Sequence, residues 1–204
     1  MKKHYVLDFD GTLFNVQMLW ERWLDELVAC DVDREDAIDK GNQLFGEGFT
    51  LRDHGQQMGI EAGELDELVS RFEEYTQAEA LTMLYDDVTP FIQESDAAFT
   101  ILTFGDHDYQ HFKLSATGLD ELIDDIRIAR PERLKHVHLK ELCATTDAEV
   151  IFIDDNPKEL SSVLDSGVPV TPIRMMRKGS RHAGEEHDGD GERWQTIASL
   201  AEIE

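Results

Sequence analysis

His4-Tyr5-Val6-Leu7-Asp8-Phe9-Asp10-Gly11-Thr12-Leu13 is the stretch around which the chain is organised. Tyr5-Val6-Leu7 has the apolar continuity of a strand buried on both faces, and it runs directly into two carboxylates, Asp8 and Asp10. Gly11 ends the strand and permits a sharp turn. In an open parallel sheet, ligands bind at the carboxyl ends of the strands. Two acids so placed repel each other unless a cation lies near them, and Mg²⁺, with its preference for oxygen, suits such a pair. On this stretch alone, an acidic turn after an edge strand is the plainer alternative.

The same pattern recurs downstream. Ala98 to Leu102 reads as a second buried strand, ending in Thr103-Phe104-Gly105-Asp106, where a hydroxyl and a glycine turn offer donors to an anion. Ile126 to Ala129 is a short third strand. Glu149 to Ile153 is a fourth, and it too runs into paired carboxylates, Asp154 and Asp155. Val168 to Ile173 is a last strand, which Pro169 and Pro172 assign to an edge. Between these strands lie predicted helices over 109–118, closed by Gly118, and over 158–164, ended by Gly167. Another is started by Pro131, with Leu139, Leu142 and Cys143 on its core face. Residues 174–192 are rich in Gly, Asp and Glu and read as a mobile loop, with a final helix over 194–203. The histidines of that loop, His182 and His187 (followed by Asp188), match no metal-ligand spacing, and His107 and His111 read as surface or helix residues.

The first and second strands are separated by residues that carry helical periodicity throughout. Val16, Trp20, Trp23, Leu24, Leu27 and Val28 recur at helical spacing, Asp33 opens a second helix over 34–45, residues 51–58 are weakly patterned, and Leu65, Leu68, Val69, Phe72 and Tyr75 mark a helix over 64–80. Thr89-Pro90 opens a short helix over 91–95. Strands alternating with helices after residue 84 imply an α/β fold with a doubly wound, mostly parallel sheet. Right-handed crossovers bring the strand ends at Asp8, Thr103 and Asp154 to one edge. Residues 1–14 and 81–204 then form the core, and 15–80 form an all-helical insert that leaves from the active edge and sits over it as a lid.

Composition narrows the partners. The 204 residues include 44 acidic and 19 basic side chains, a net charge of −25, which repels nucleic acid and anionic membranes. No apolar run approaches the ~20 residues of a membrane span. Met-Lys-Lys-His leads into the first strand without the apolar region of a signal peptide, and the two cysteines, Cys30 and Cys143, form neither a disulfide framework nor a zinc site. These features predict a cytoplasmic protein whose cysteines are small buried hydrophobes. Oligomeric state is not legible.

Asp8-Phe-Asp-Gly-Thr-Leu, then Ile101-Leu-Thr103, then a lysine upstream of Phe152-Ile-Asp154-Asp155, resembles the four ordered motifs of the haloacid dehalogenase-like (HAD) hydrolase superfamily. The resemblance spans nearly the whole chain. It implies a Rossmann-like core of strand order 3-2-1-4-5 and places residues 15–80 where that family carries its helical C1 cap. By the same resemblance, Asp8 is the nucleophile that takes up a phosphoryl group and Asp10 the general acid/base. Thr103 holds the phosphoryl oxygens, helped by the backbone around Phe9, Asp10, Gly11, Thr12, Phe104 and Gly105. Mg²⁺ is ligated by Asp8, the backbone carbonyl of Asp10 and Asp155, with Asp154 in support. Family dehalogenases lack an acid at the place of Asp10 and ion-pumping ATPases carry Thr there, so the expected activity is a phosphatase acting on a small phosphorylated substrate. A phosphomutase and a non-catalytic phosphate-binding protein are the alternatives.

The family's lysine has three candidates, Lys113, Lys135 and Lys140. Lys113 lies about two turns along its helix, which is expected to carry it away from the strand ends. Lys135 lies in the first turns of the helix opened by Pro131, on the face of Leu139 and Leu142, and so points toward the sheet. Lys140 falls on the flank, where a solvated charge is the ordinary outcome. Lys135 is therefore the expected catalytic lysine.

Overall fold

The computed structural model describes residues 2–185, 187 and 191–203. Strands β1 (Lys3–Leu7), β2 (Ala98–Phe104), β3 (Asp125–Ala129), β4 (Glu149–Asp154), β5 (Thr171–Met175) and β6 (Gln195–Ile197) form one parallel sheet of order β3-β2-β1-β4-β5-β6. The strand holding the two acids is thus central, flanked by the strands that end near Thr103 and Asp154. Side chains along β1 alternate in direction, as in any strand. Val6 joins Leu102 and Phe152 on one face, under Leu139 and Leu142 of α7 (Lys135–Cys143) and Leu160 and Val163 of α8 (Pro157–Asp165). Tyr5 and Leu7 join Ile101, Ile151 and Ile153 on the other, against Val88 and Ile92 of α5 (Val88–Glu94) and Leu114 of α6 (His107–Thr117). A side chain such as Phe152, with no exposed surface, contributes about 1.5–3 kcal/mol by burial.

Residues between β1 and β2 are helical, as their periodicity predicts: α1 (Val16–Ala29), α2 (Arg34–Leu44), α3 (Leu51–Gln57) and α4 (Ala62–Glu79), followed by a 3₁₀ turn at Ala80–Met83. Asp33 caps α2 by accepting from the N–H groups of Glu35 and Asp36, and Thr50 caps α3 by accepting from that of Asp53. Leu24, Leu27, Leu68 and Phe72 are buried between α1 and α4, and their apolar cluster is continuous with that under the sheet. The chain enters and leaves this insert side by side: Asn15 N–H donates to Met83 O at 2.8 Å and Tyr85 N–H to Leu13 O at 3.1 Å.

Several local expectations are corrected. The last strand runs from Thr171 to Met175 and is not an edge, because β6 pairs with it from Ile173 to Met175. Pro169 precedes the strand and Pro172 precedes the β6 pairing, so neither proline removes a donor needed there. Residues 194–203 accordingly form β6 and a 3₁₀ turn at Leu200–Glu202 capped by Ser199, rather than a helix. Pro131 lies in a turn closed by reciprocal Arg130 and Arg133 backbone bonds, and α7 begins four residues later, at Lys135. Cys30 and Cys143 are free and only half-buried. No described helix is long and apolar enough to cross a membrane.

Candidate active site

Asp8 follows directly on β1, and its N–H still donates to Ile153 O of β4 at 2.8 Å, so the sheet fixes its backbone. The chain then folds tightly on itself: the N–H groups of Leu13 and Phe14 both donate to Phe9 O, at 2.9 and 3.0 Å. Gly11 makes this turn possible. Its φ is +86°, and a Cβ there would lie 2.2 Å from Asp155 Oδ2. The turn therefore lets the backbone pass directly beneath the Asp155 carboxylate.

Asp8, Asp154 and Asp155 are all buried and offer carboxylate oxygens within 4.8 Å of one another. Lys135, the first residue of α7 and itself buried, donates to Asp8 Oδ1 at 2.6 Å and to Asp154 Oδ2 at 2.7 Å. Burial would lower the Lys135 pKa, yet the Asp154 and Asp8 charges raise it above the ordinary lysine value, so it stays an ammonium. One ammonium does not balance three buried carboxylates. Burial, with the Asp154 and Asp10 charges, pushes Asp8 up to about 7 despite Lys135. Burial and the Asp8 and Asp154 charges raise Asp155 well above the carboxylate range. This excess of hard, buried oxygen donors fits a divalent cation such as Mg²⁺. Asp154 has both oxygens engaged, by Lys135 and by the Asn156 N–H at 2.8 Å, whereas Asp155 accepts no hydrogen bond among the described residues.

The Asp10 side chain lies outside that trio. Lys113 Nζ sits 2.6 Å from both of its oxygens, and Gln110 Nε2 donates to Asp10 Oδ2 at 2.9 Å and to Phe104 O at 2.8 Å. The expectation that its helix carries Lys113 away is overturned. Helical side chains lean toward the N-terminus, so from two turns along α6 Lys113 reaches back over the Tyr109 and Phe9 rings, 5.1 and 5.5 Å from their centroids. Lys113 and Gln110 are the buried site residues that sequence reasoning missed. Lys140 is exposed, as its helical position predicts.

Thr103, in β2, is buried, and its hydroxyl has no partner among the described residues. The backbone N–H groups of Phe9 and Asp10 likewise donate to no backbone group there, while those of Gly11, Thr12 and Gly105 are spent on Phe14 O, Phe9 O and Ala129 O. Those three amides are therefore not the free donors expected of them. Of the remaining donors, the Asp10 N–H and the Thr103 hydroxyl lie at the cavity and can hold an anion. Thr12 and Phe9 lie behind the site, while Gly11, Phe104 and Gly105 line it.

All of this opens into one cavity of about 310 Å³ between the strand ends and the helical insert. Asp8, Asp10, Thr103, Lys135, Asp154 and Asp155 face it from the core, together with Lys113 and Gln110. Trp20, Phe45 and Phe49 face it from the insert, and Arg181 and His182 from the segment after β5. The expectation of a mobile loop over 174–192 is corrected among the described residues: Arg174 and Met175 belong to β5, and buried Arg174 ties the segment to it by donating to His182 O at 2.9 Å and Glu185 O at 2.8 Å. Asp188 lies outside the described residues; the His187 ring meets Trp194 at 5.3 Å, tilted by 38°.

A family model described as haloacid dehalogenase-like hydrolase matches residues 2–167. The sequence finds no match among curated proteins. Among solved structures, the chain is similar to a protein described as a haloacid dehalogenase-like hydrolase of Burkholderia xenovorans LB400 (TM-score 0.71, 16% identity, covering 98% of this chain and 93% of that one). It is also similar to a predicted phosphoglycolate phosphatase of Haemophilus somnus 129PT (0.62, 14%, 99% and 94%). A third is the L-2-haloacid dehalogenase of Xanthobacter autotrophicus (0.62, 18%, 98% and 96%). At these identities the likeness is one of fold.

Proposed function

The chain belongs to the haloacid dehalogenase-like hydrolases, and from that premise we propose that it is a Mg²⁺-dependent phosphomonoester hydrolase that works through an aspartyl phosphate on Asp8. One observation carries the choice of reaction: a second carboxylate, Asp10, stands at the cavity wall two residues beyond Asp8, held in place by Lys113 and Gln110. Displacing a halide leaves a stable anion that needs no proton. Displacing an alcohol from phosphorus does need one, and Asp10 is placed to give it.

In this reading Asp8 Oδ attacks phosphorus as the ester P–O bond breaks, and Asp10 protonates the leaving alkoxide. Asp10, now a carboxylate paired with Lys113, takes a proton from the water that opens the aspartyl phosphate, releasing inorganic phosphate and Asp8. Lys135 holds Asp8 in line and offsets the charge gathering around it, and the Thr103 hydroxyl with the Asp10 N–H cradles the phosphoryl oxygens. Asp8 and Asp155, with the backbone carbonyl of Asp10, would hold the Mg²⁺, whose charge offsets the repulsion between carboxylate and phosphate dianion. Asp154 supports from behind, anchoring Lys135.

Phosphate release from a panel of phosphomonoesters, with Mg²⁺ and with EDTA, tests the reading. Release only with the metal is expected. Halide release from 2-haloalkanoic acids, with no phosphate from any ester, would replace it with the dehalogenase reading.

A further inference from the structure

The part of the cavity remote from the carboxylates has its own chemistry. Trp20 of α1 meets Phe45 and Phe49 edge-to-face, with ring centroids 5.2 and 5.8 Å away, and Phe49 meets Tyr109 of α6 at 6.1 Å. Trp20, Phe45 and Tyr109 keep part of their surface open. The helical insert adds only two polar side chains to the lining, the amides of Gln17 and Asn42. Arg181 closes this wall. Its guanidinium lies 4.9 Å over the Phe45 ring and, in a chain of net charge −25, has no carboxylate partner among the described residues. Buried Arg174 fixes the backbone at the adjacent His182, and Arg181, itself largely exposed, lies over Phe45 at the cavity rim.

Resting on the phosphatase reading, we propose that the substrate is a phosphomonoester whose alcohol carries an aromatic or heteroaromatic ring, seated against Trp20, Phe45 and Tyr109 beside the Arg181 plane. A ring offers π faces and edges to these side chains and to the guanidinium, and needs few hydrogen bonds. A sugar phosphate of the same size would bury several hydroxyls against a wall whose polar side chains are Gln17, Asn42 and the Arg181–His182 rim, leaving hydroxyls that face the rings unpaired. The volume, about 310 Å³, is at the small end of the ~300–1,000 Å³ of ligand pockets, which favours one or two fused rings plus the phosphoryl group.

The test compares kcat/KM for 2-phenylethyl phosphate with that for glycerol 1-phosphate and glucose 6-phosphate, all esters of primary alcohols. The ring ester is expected to lead by at least about tenfold. Phe45→Ala should bring that ratio close to one. In parallel, calorimetry measures binding of 3-phenylpropylphosphonate and 3,4-dihydroxybutylphosphonate, which are not hydrolysed. The phenyl compound should bind about tenfold more tightly. Equal or reversed preferences, in turnover and in binding, would overturn the ring proposal and leave the phosphatase reading standing. No turnover of any ester would sink that reading, and the phosphonate affinities would then decide the ring proposal alone.

Discussion

Lys113 and Lys135 sit on different helices and serve different carboxylates, so their removal should read out differently. Lys135→Ala leaves Asp8 and Asp154 buried without their cation, and turnover should fall by about 10²–10³-fold, while Lys140→Ala stays within about twofold. Steady-state kinetics of the two variants check this, and the reverse order would move the lysine's role to Lys140. Lys113→Met removes the ammonium from Asp10 without emptying its space. Its kcat should drop by at least about tenfold with KM little changed, because Asp10 acts on the leaving group rather than on binding. A rise in KM alone would make Lys113 a substrate-binding residue. At this scale the convergence of Asp8, Asp10, Thr103, Lys135 and the Asp154-Asp155 pair on one cavity was legible because they lie at or just past strand ends or at a helix start, where position follows from the sheet. Lys113 was not. Its role depends on the reach of a long side chain back along α6, which helical phase does not show.

The segments that join sheet, insert and C-terminus converge on Arg177. Its guanidinium pairs with Asp87 at 2.7 Å through two nitrogens, donates to Thr12 O at 3.1 Å and Ala198 O at 3.2 Å, and stacks on Tyr85. Asp87 also accepts from the Ser199 hydroxyl and the Leu200 N–H, tying the start of α5 to the 3₁₀ turn after β6. Asp87→Ala would strand the buried Arg177 charge and should cost about 3 kcal/mol in urea unfolding. A loss under about 0.5 kcal/mol would mean that the pair does not join these elements. The helices of the insert and the existence of the first five strands could be read because periodicity and burial agree there, whereas their order in the sheet came from the resemblance to the family. β6 could not. A three-residue strand carries no alternation of its own, and Gln195-Thr196-Ile197 becomes a strand only because the β5 edge accepts it.

Across the whole molecule, the buried carboxylates link stability to pH and metal. An unfolded aspartate titrates near 3.8, whereas folded, metal-free Asp8 titrates at about 7, and burial displaces Asp154 and Asp155 in the same direction. Between these values the cluster binds more protons in the folded chain than in the unfolded one, so its contribution to stability falls as pH rises from about 4 to about 7, against an opposite contribution from His4, His54 and His138, whose pKa values burial lowers. Asp87 and Asp125, held below the usual range by their arginines and hydrogen bonds despite burial, lose their contribution only at still lower pH. Melting in EDTA should therefore show a Tm that falls more, or rises less, from pH 5.5 to pH 8 in the parent protein than in Asp155→Asn. Mg²⁺ should raise Tm more at pH 8, and Asp155→Asn should flatten that trend; a Mg²⁺ effect independent of pH would separate the metal from this cluster. The account as a whole rests on Asp8 as the group that receives the phosphoryl. The most direct measurement quenches the enzyme during turnover of a phosphomonoester, reduces it with borohydride and maps the peptides by mass spectrometry. An aspartyl phosphate is reduced to homoserine, so the account predicts homoserine at position 8, absent from Asp8→Asn and from enzyme without substrate. Homoserine at another aspartate, or a phosphorylated side chain elsewhere with Asp8 intact, would contradict it.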